Sequence, residues 1–182
     1  MGVEERMADR CNTIRLYSFQ TDVVYQVLKR DGVCYSKEEY VRKKYKESAK
    51  VFINAYGWFV KEAQHIVPKP EGAEYPYWAF TDLYNVDQTG DGHVLTLDVP
   101  IGEAILFDMF DWTKIMQMHY IGENESEEAT FSEELKNMGM NEFQIMTSNF
   151  YPEQKARIQE SWKRLFGHQQ AIEAGDNSGV HS

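Results

Sequence analysis

Between Tyr40 and Ile66 the apolar residues fall on a helical beat, and this stripe constrains the fold more than any other feature of the chain. Tyr45, Ala49, Phe52, Tyr56, Phe59, Ala63 and Ile66 recur at steps of three or four residues. That spacing places them on one face of an α-helix. So aromatic a face needs covering, which predicts a long core helix rather than a cofactor box. Pro68 and Pro70 stop it. With 182 residues, 42% of them apolar and 14% aromatic, the chain has enough material for one buried core.

Elements on either side are read from periodicity and punctuation. Thr13–Phe19 is rich in β-branched and aromatic residues and predicts a first strand. Thr21 or Asp22 is placed to cap a helix carrying Val23, Val24, Val27 and Leu28, which Asp31-Gly32 ends. Val33–Tyr35 predicts a short strand, and Ser36 with Glu39 a capping box for the next helix. Tyr77–Leu83, Val94–Val99 and Ala104–Phe107 predict further strands, with a turn at Asp87–Gly92. Asp111–Tyr120, Ser132–Asn137 and Glu153–Phe166 predict helices. This order points to an α+β fold: one compact domain over residues 13–166, a split or mixed antiparallel sheet and packed helices. Residues 1–12 read as a loose leader and 167–182 as a polar tail.

Charge and composition then narrow the function. No run of about 18 apolar residues is present, so no membrane span is expected. The charged N-terminus lacks an apolar signal segment, and Cys11 and Cys34 are too few for a disulfide framework, so the expected compartment is the cytoplasm. A net charge of −10 repels phosphate backbones and makes a nucleic-acid partner unexpected. Glu123, Glu125, Glu127, Glu128, Glu133 and Glu134 crowd into Gly122–Glu134, which reads as a solvated loop and helix start.

Motifs with chemistry are few. Asp87–Asp98 imitates a calcium loop, with Asp87, Thr89 and Asp91 at ligand positions and Gly92 at the turn. Position twelve is Asp98 instead of Glu, and both flanks read as strands, so the expectation is a β-turn and no metal. The five histidines show no ligand spacing, and no phosphate-binding glycine loop or serine nucleophile motif occurs. The rings of Tyr75, Tyr77 and Trp78 lie on a loop entering a predicted strand, where flat side chains can stack on a planar ligand. Trp58 and Trp112 read as core.

Several blocks together resemble the bacterial domain of unknown function 3841 family. They are Ser18-Phe19-Gln20 closing the first strand, Asp31-Gly32-Val33, and the loop of Tyr75, Pro76 and Trp78. Leu97-Asp98-Val99-Pro100, Ile105-Leu106-Phe107-Asp108 and the ending Ser161–Phe166 complete the set. The resemblance spans about Thr13 to Phe166 and brings no activity with it. A weaker resemblance is to the ADP-ribosyltransferase superfamily, small split-sheet α+β domains that cleave NAD. It rests on Arg15, then Gly32, then Tyr35 and Ser36, followed by Val99-Pro100 and Leu106–Asp108. This resemblance implies NAD as substrate. Arg15 or Gln20 would steady the dinucleotide and Tyr35 or Trp78 would stack, with Ser36 and Tyr77 beside them. Glu160, in a stretch that reads as a helix, would be the carboxylate that stabilises an oxocarbenium-like centre. The expected activity is therefore mono-ADP-ribosyl transfer to a protein or small-molecule acceptor. The alternative is a non-enzymatic acidic module, of the phage or mobile-element inhibitor type, that binds a basic protein.

Overall fold

A computed structural model describes residues 12–167. It contains both strands and helices, and its contacts gather the chain into two compact units. The described residues up to Tyr40 form the first unit with Ala63–Ile105. Val41–Glu62 form the second with the described residues from Leu106 onward.

The first unit is built on a two-stranded antiparallel ribbon. Strand β1 (Thr13–Thr21) pairs with β2 (Gly92–Pro100) from Thr13 opposite Pro100 to Thr21 opposite Gly92. Alternation puts Leu16 and Ser18 on the buried face of β1. Helix α1 (Asp22–Asp31) follows at once and packs on the ribbon. Asp22 in its first turn and Lys29 and Arg30 in its last suit the helix dipole. Gly32, at φ 74°, caps it by donating to the Leu28 carbonyl. Tyr25 of α1 stacks on His93 of β2 at 4.0 Å, and Asp22 holds the same imidazole at 2.9 Å.

Three expected strands do not form. Val33–Tyr35 stays irregular, and the neighbouring Ser36 makes a single bridge to Tyr75. Tyr77–Leu83 contributes one bridge, Phe80 to Tyr17, because Asp82 then accepts the Tyr84 N–H at 2.8 Å and turns the chain into the short 3-10 helix Leu83–Asn85. Ala104–Phe107 belongs to no strand and runs into Asp108, whose carboxylate caps the next helix. Short apolar runs do not distinguish a strand from an ordered loop, since burial alone satisfies them. Ser36 also fails as a cap: helix α2 (Glu38–Tyr45) begins with the Glu38 N–H donating to the Glu74 carboxylate at 2.7 Å.

The long helix is interrupted. After α2 comes the 3-10 turn Lys46–Ser48, with Lys46 at φ 48°, and then α3 (Ala49–Ala63). The predicted stripe is nevertheless inward, with Ala49, Tyr56 and Phe59 buried.

In the second unit these rings meet α4 (Met109–Met116) and the 3-10 helix Trp162–Phe166. Trp58 lies edge-on to Trp162 at 5.2 Å, and Phe59 meets Trp112 at 5.6 Å and Phe166 at 5.7 Å. Helix α5 (Glu125–Asn137) starts seven residues before the predicted Ser132. Asn124 caps it through the Glu127 N–H, and Glu125, Glu127 and Glu128 favour the positive end of its dipole. Helix α6 (Glu142–Thr147) was not expected; Asn141 and Gln144 form its capping box. Helix α7 (Pro152–Ser161) opens on Pro152 and leads directly into Trp162–Phe166. Among the described residues, no helix is long and apolar enough to cross a membrane.

Candidate binding site at the Tyr75–Trp78 loop

Ser18 organises one side of this site. It is a polar residue on the buried face of β1, so its hydroxyl needs partners. It accepts from Gln20 Nε2 and donates to the Trp78 carbonyl, each at 2.7 Å. The end of β1 is thereby tied to the aromatic loop. Two residues on, Phe80 exchanges both backbone hydrogen bonds with Tyr17 at 2.8 Å.

The opposite side of the loop is fixed to residues 34–38. The Glu74 and Tyr75 N–H groups both donate to the Ser36 carbonyl, at 3.2 and 3.3 Å. The buried Tyr75 ring sends its hydroxyl to the Glu38 carboxylate at 3.1 Å. Tyr77 donates to Cys34 Sγ at 3.0 Å, and burial, aided by that thiol, pushes its phenol well above the usual range. Tyr35 is partly exposed, and its ring lies against the backbone of Gly72.

Of the six residues expected to bind the dinucleotide, Gln20 is tied to Trp78 through Ser18, Ser36 holds the backbone of Tyr75, and Tyr77 bonds Cys34, while Tyr35 lies against Gly72. Arg15 is not part of this network. Its guanidinium makes a two-pronged pair with Asp98 across the ribbon, at 2.8 and 3.0 Å, with its side chain 60% exposed. The pair raises the Arg15 pKa and lowers that of Asp98.

Glu160 belongs to the second unit. Its side chain is 70% exposed on α7 and pairs with Lys163 at 2.7 Å. It lines an open groove of about 650 Å³ with Tyr120, Arg157, Ser161, Lys163, Arg164 and Gly167. Sequence reasoning met Ser18 only within a family block and Cys34 only as a thiol, and passed over Glu38 and Glu74. Only Ser18 carried a signal, being polar two residues from Leu16 on one strand face.

The two other charged features are occupied locally. In the calcium-like loop, Asp87 accepts both the N–H and the hydroxyl of Thr89, at 2.9 and 2.7 Å, and Asp98 is held by Arg15. Among the described residues, no three His, Cys, Asp or Glu side chains gather closely enough to hold a metal ion. In the Glu-rich run, Glu123, Glu127, Glu128 and Glu134 engage Arg164, Tyr120, Lys114 and Arg157 respectively. Glu125 and Glu133 remain exposed.

No curated protein and no solved structure matches the chain. A family model does, over residues 15–180, from the Arg15 strand through the aromatic loop and past the Trp162 segment. Its description is domain of unknown function (DUF3841), and the chain belongs to that family.

Proposed function

We propose that the protein binds NAD at the Tyr75–Trp78 loop and cleaves its nicotinamide–ribose bond, as an ADP-ribosyltransferase-like enzyme. One observation carries the reading: the loop is hydrogen-bonded to Gln20 through Ser18 on one side and to Cys34 and Ser36 on the other. Tyr77 and Trp78 would stack on nicotinamide or adenine, and the Gln20 amide, whose Nε2 donates to Ser18, would offer its oxygen to ribose. The acceptor would be a protein or a small molecule.

A thermal shift with NAD, ADP-ribose and nicotinamide tests this. A ligand at 100 times its Kd stabilises the native state by about 2.7 kcal/mol, which is readily seen in Tm. NAD is expected to raise Tm, and Trp78→Ala to remove the rise. No shift with any of the three ligands would sink the reading. The acidic-module alternative would then stand on the net charge of −10 and on Glu125 and Glu133.

A further inference from the structure

We propose that the outer face of Arg42–Lys50 binds the phosphate backbone of duplex DNA, an inference independent of the NAD reading. Five cations, Arg42, Lys43, Lys44, Lys46 and Lys50, stand against the one acid Glu47 in this stretch, a local net charge of +4. All five are exposed, while Val41 and Ala49 are buried and Tyr45 is half-buried. The inward positions recur at every fourth residue, so the outward arc is left almost wholly cationic.

Local stability does not account for this charge. Arg42, Lys43 and Lys44 close α2, where cations suit the negative end of its dipole. Lys50 instead sits in the first turn of α3, at the positive end, and no acid lies in that turn to offset it. Lys46 stands in the turn between the helices at φ 48°. Among the described residues, no carboxylate pairs with Lys43, Lys46 or Lys50. By contrast, Arg15, Arg30, Lys114, Arg157, Lys163 and Arg164 each hold one. Acids outnumber lysines and arginines 29 to 19 in the chain, so lysines left without them mark a surface for an external anion. The net charge of −10 does not oppose this, because exposed charges beyond about 8 Å are largely screened at physiological ionic strength.

The same face selects among polyanions. Val41–Glu62 exposes no large apolar side chain. Protein interfaces draw their affinity from such anchors and are poor in lysine, and a helix lying on a membrane needs an apolar side to insert. Single strands bind by stacking bases on exposed rings, whereas the Tyr45 ring is already stacked on Phe52 at 3.6 Å. Phosphate contacts need only positive charge. Helical rise from Arg42 to Lys50 covers about 12 Å, the reach of about three phosphates along one strand. Modules for duplex RNA span two successive grooves, well beyond that length.

Fluorescence anisotropy of a labelled DNA duplex of about 20 base pairs measures binding to the full chain between about 0.05 M and about 0.2 M salt. The test variant carries Lys43→Gln, Lys46→Gln and Lys50→Gln together, which removes charge from exposed positions. Lys136→Gln, exposed in the last turn of α5 in the same unit, is the control. For the wild type, Kd is expected to climb with salt at a log–log slope of about 3. The triple variant should bind at least about tenfold more weakly at low salt, with the slope flattened by about 2 or more. Its Tm should be unchanged or raised, since Lys50 opposes the α3 dipole, and Lys136→Gln should bind as the wild type does. Should the triple variant melt lower, Lys43→Gln and Lys50→Gln taken singly must each still flatten the slope by about 0.9; no flattening in either overturns the inference. No duplex binding by the wild type overturns it, as does a triple variant that binds like the wild type. An equal loss in Lys136→Gln would mark a general charge effect and overturn it too. So would tighter binding of an RNA duplex, a DNA single strand or phosphatidylserine vesicles than of the DNA duplex.

Discussion

At the scale of single residues, the second unit contains a short loop, His119–Glu123, whose five N–H groups all have partners, as do the His119 and Ile121 carbonyls. Met118, fully buried, enters it at φ 63°, a conformation that a non-glycine residue keeps only when its surroundings compel it. Trp162 Nε1 donates to the His119 carbonyl at 2.6 Å, and Ser161 Oγ accepts the Ile121 N–H at 3.0 Å. Glu142 grips the start of the loop, one oxygen on His119 Nδ1 at 2.5 Å and the other on the Tyr120 N–H at 3.0 Å. Its hydrogen bond raises the His119 pKa, with burial opposing; Glu128 adds to the rise and Lys114 subtracts from it. A histidine whose folded pKa is raised contributes stability that is complete below its unfolded value of about 6.5. The contribution is lost as pH rises through the folded value. His119 is 49% exposed, so solvent screening limits the effect to less than about 1 kcal/mol. Urea midpoints at about pH 6 and about pH 8.5 are expected to converge between wild type and His119→Asn as pH rises. A gap that stays constant or widens would show that the pair does not titrate.

At the scale of elements, the ribbon ends where Gly92 faces Thr21, and that end holds Gln20 in place. A Cβ on Gly92 would lie 2.5 Å from the Gln20 carbonyl oxygen and 2.6 Å from the Phe19 ring. The oxygen belongs to the paired backbone and cannot yield without opening the ribbon. Gly92→Ala is therefore expected to cost about 1–3 kcal/mol in chemical denaturation. Gly102→Ala meets nothing within 4 Å and should stay within about 0.5 kcal/mol. Equal midpoints for the two variants would refute the argument. The same ribbon shows what sequence pattern can and cannot reveal. Alternation in Thr13–Phe19 and Val94–Val99 was legible, as was α1 with its Asp31-Gly32 stop. Val33–Tyr35 and Tyr77–Leu83 looked like strands because they are apolar, yet the first stays irregular beside the single Ser36–Tyr75 bridge and the second pairs through Phe80 alone, and pairing is a long-range fact. Helix α6 carried its sign in Asn141 and Gln144, but its six residues are too few for a periodic stripe. The break at Lys46 left no mark on the apolar spacing that runs across it.

At the scale of the whole molecule, the clustering of rings next to Pro76 was readable in the sequence. The groups that anchor that loop, Ser18 from β1 and Glu38 from α2, were not readable, since they reach it only through the folded chain. The net charge of −10 was readable from composition, and it bears on which kind of ligand the protein takes. A field of that sign repels an anionic dinucleotide and attracts a basic protein, and salt weakens both effects. From about 0.01 M to about 0.1 M ionic strength the screening length falls from about 30 Å to about 10 Å. Around the Tyr75–Trp78 loop, an amide, hydroxyls, a thiol and a carboxylate take part in the bonds that hold the site. If NAD binds there as proposed, through ring stacking and hydrogen bonds from the Gln20 amide, added salt should remove repulsion more than attraction. The Kd for NAD, measured by calorimetry across that range, is expected to hold steady or fall. A basic protein partner would show the reverse, its Kd climbing steeply as the attraction is screened. A Kd for NAD that climbs in the same steep way would mean that cations grip its phosphates, and the ligand would then have to be sought away from this loop.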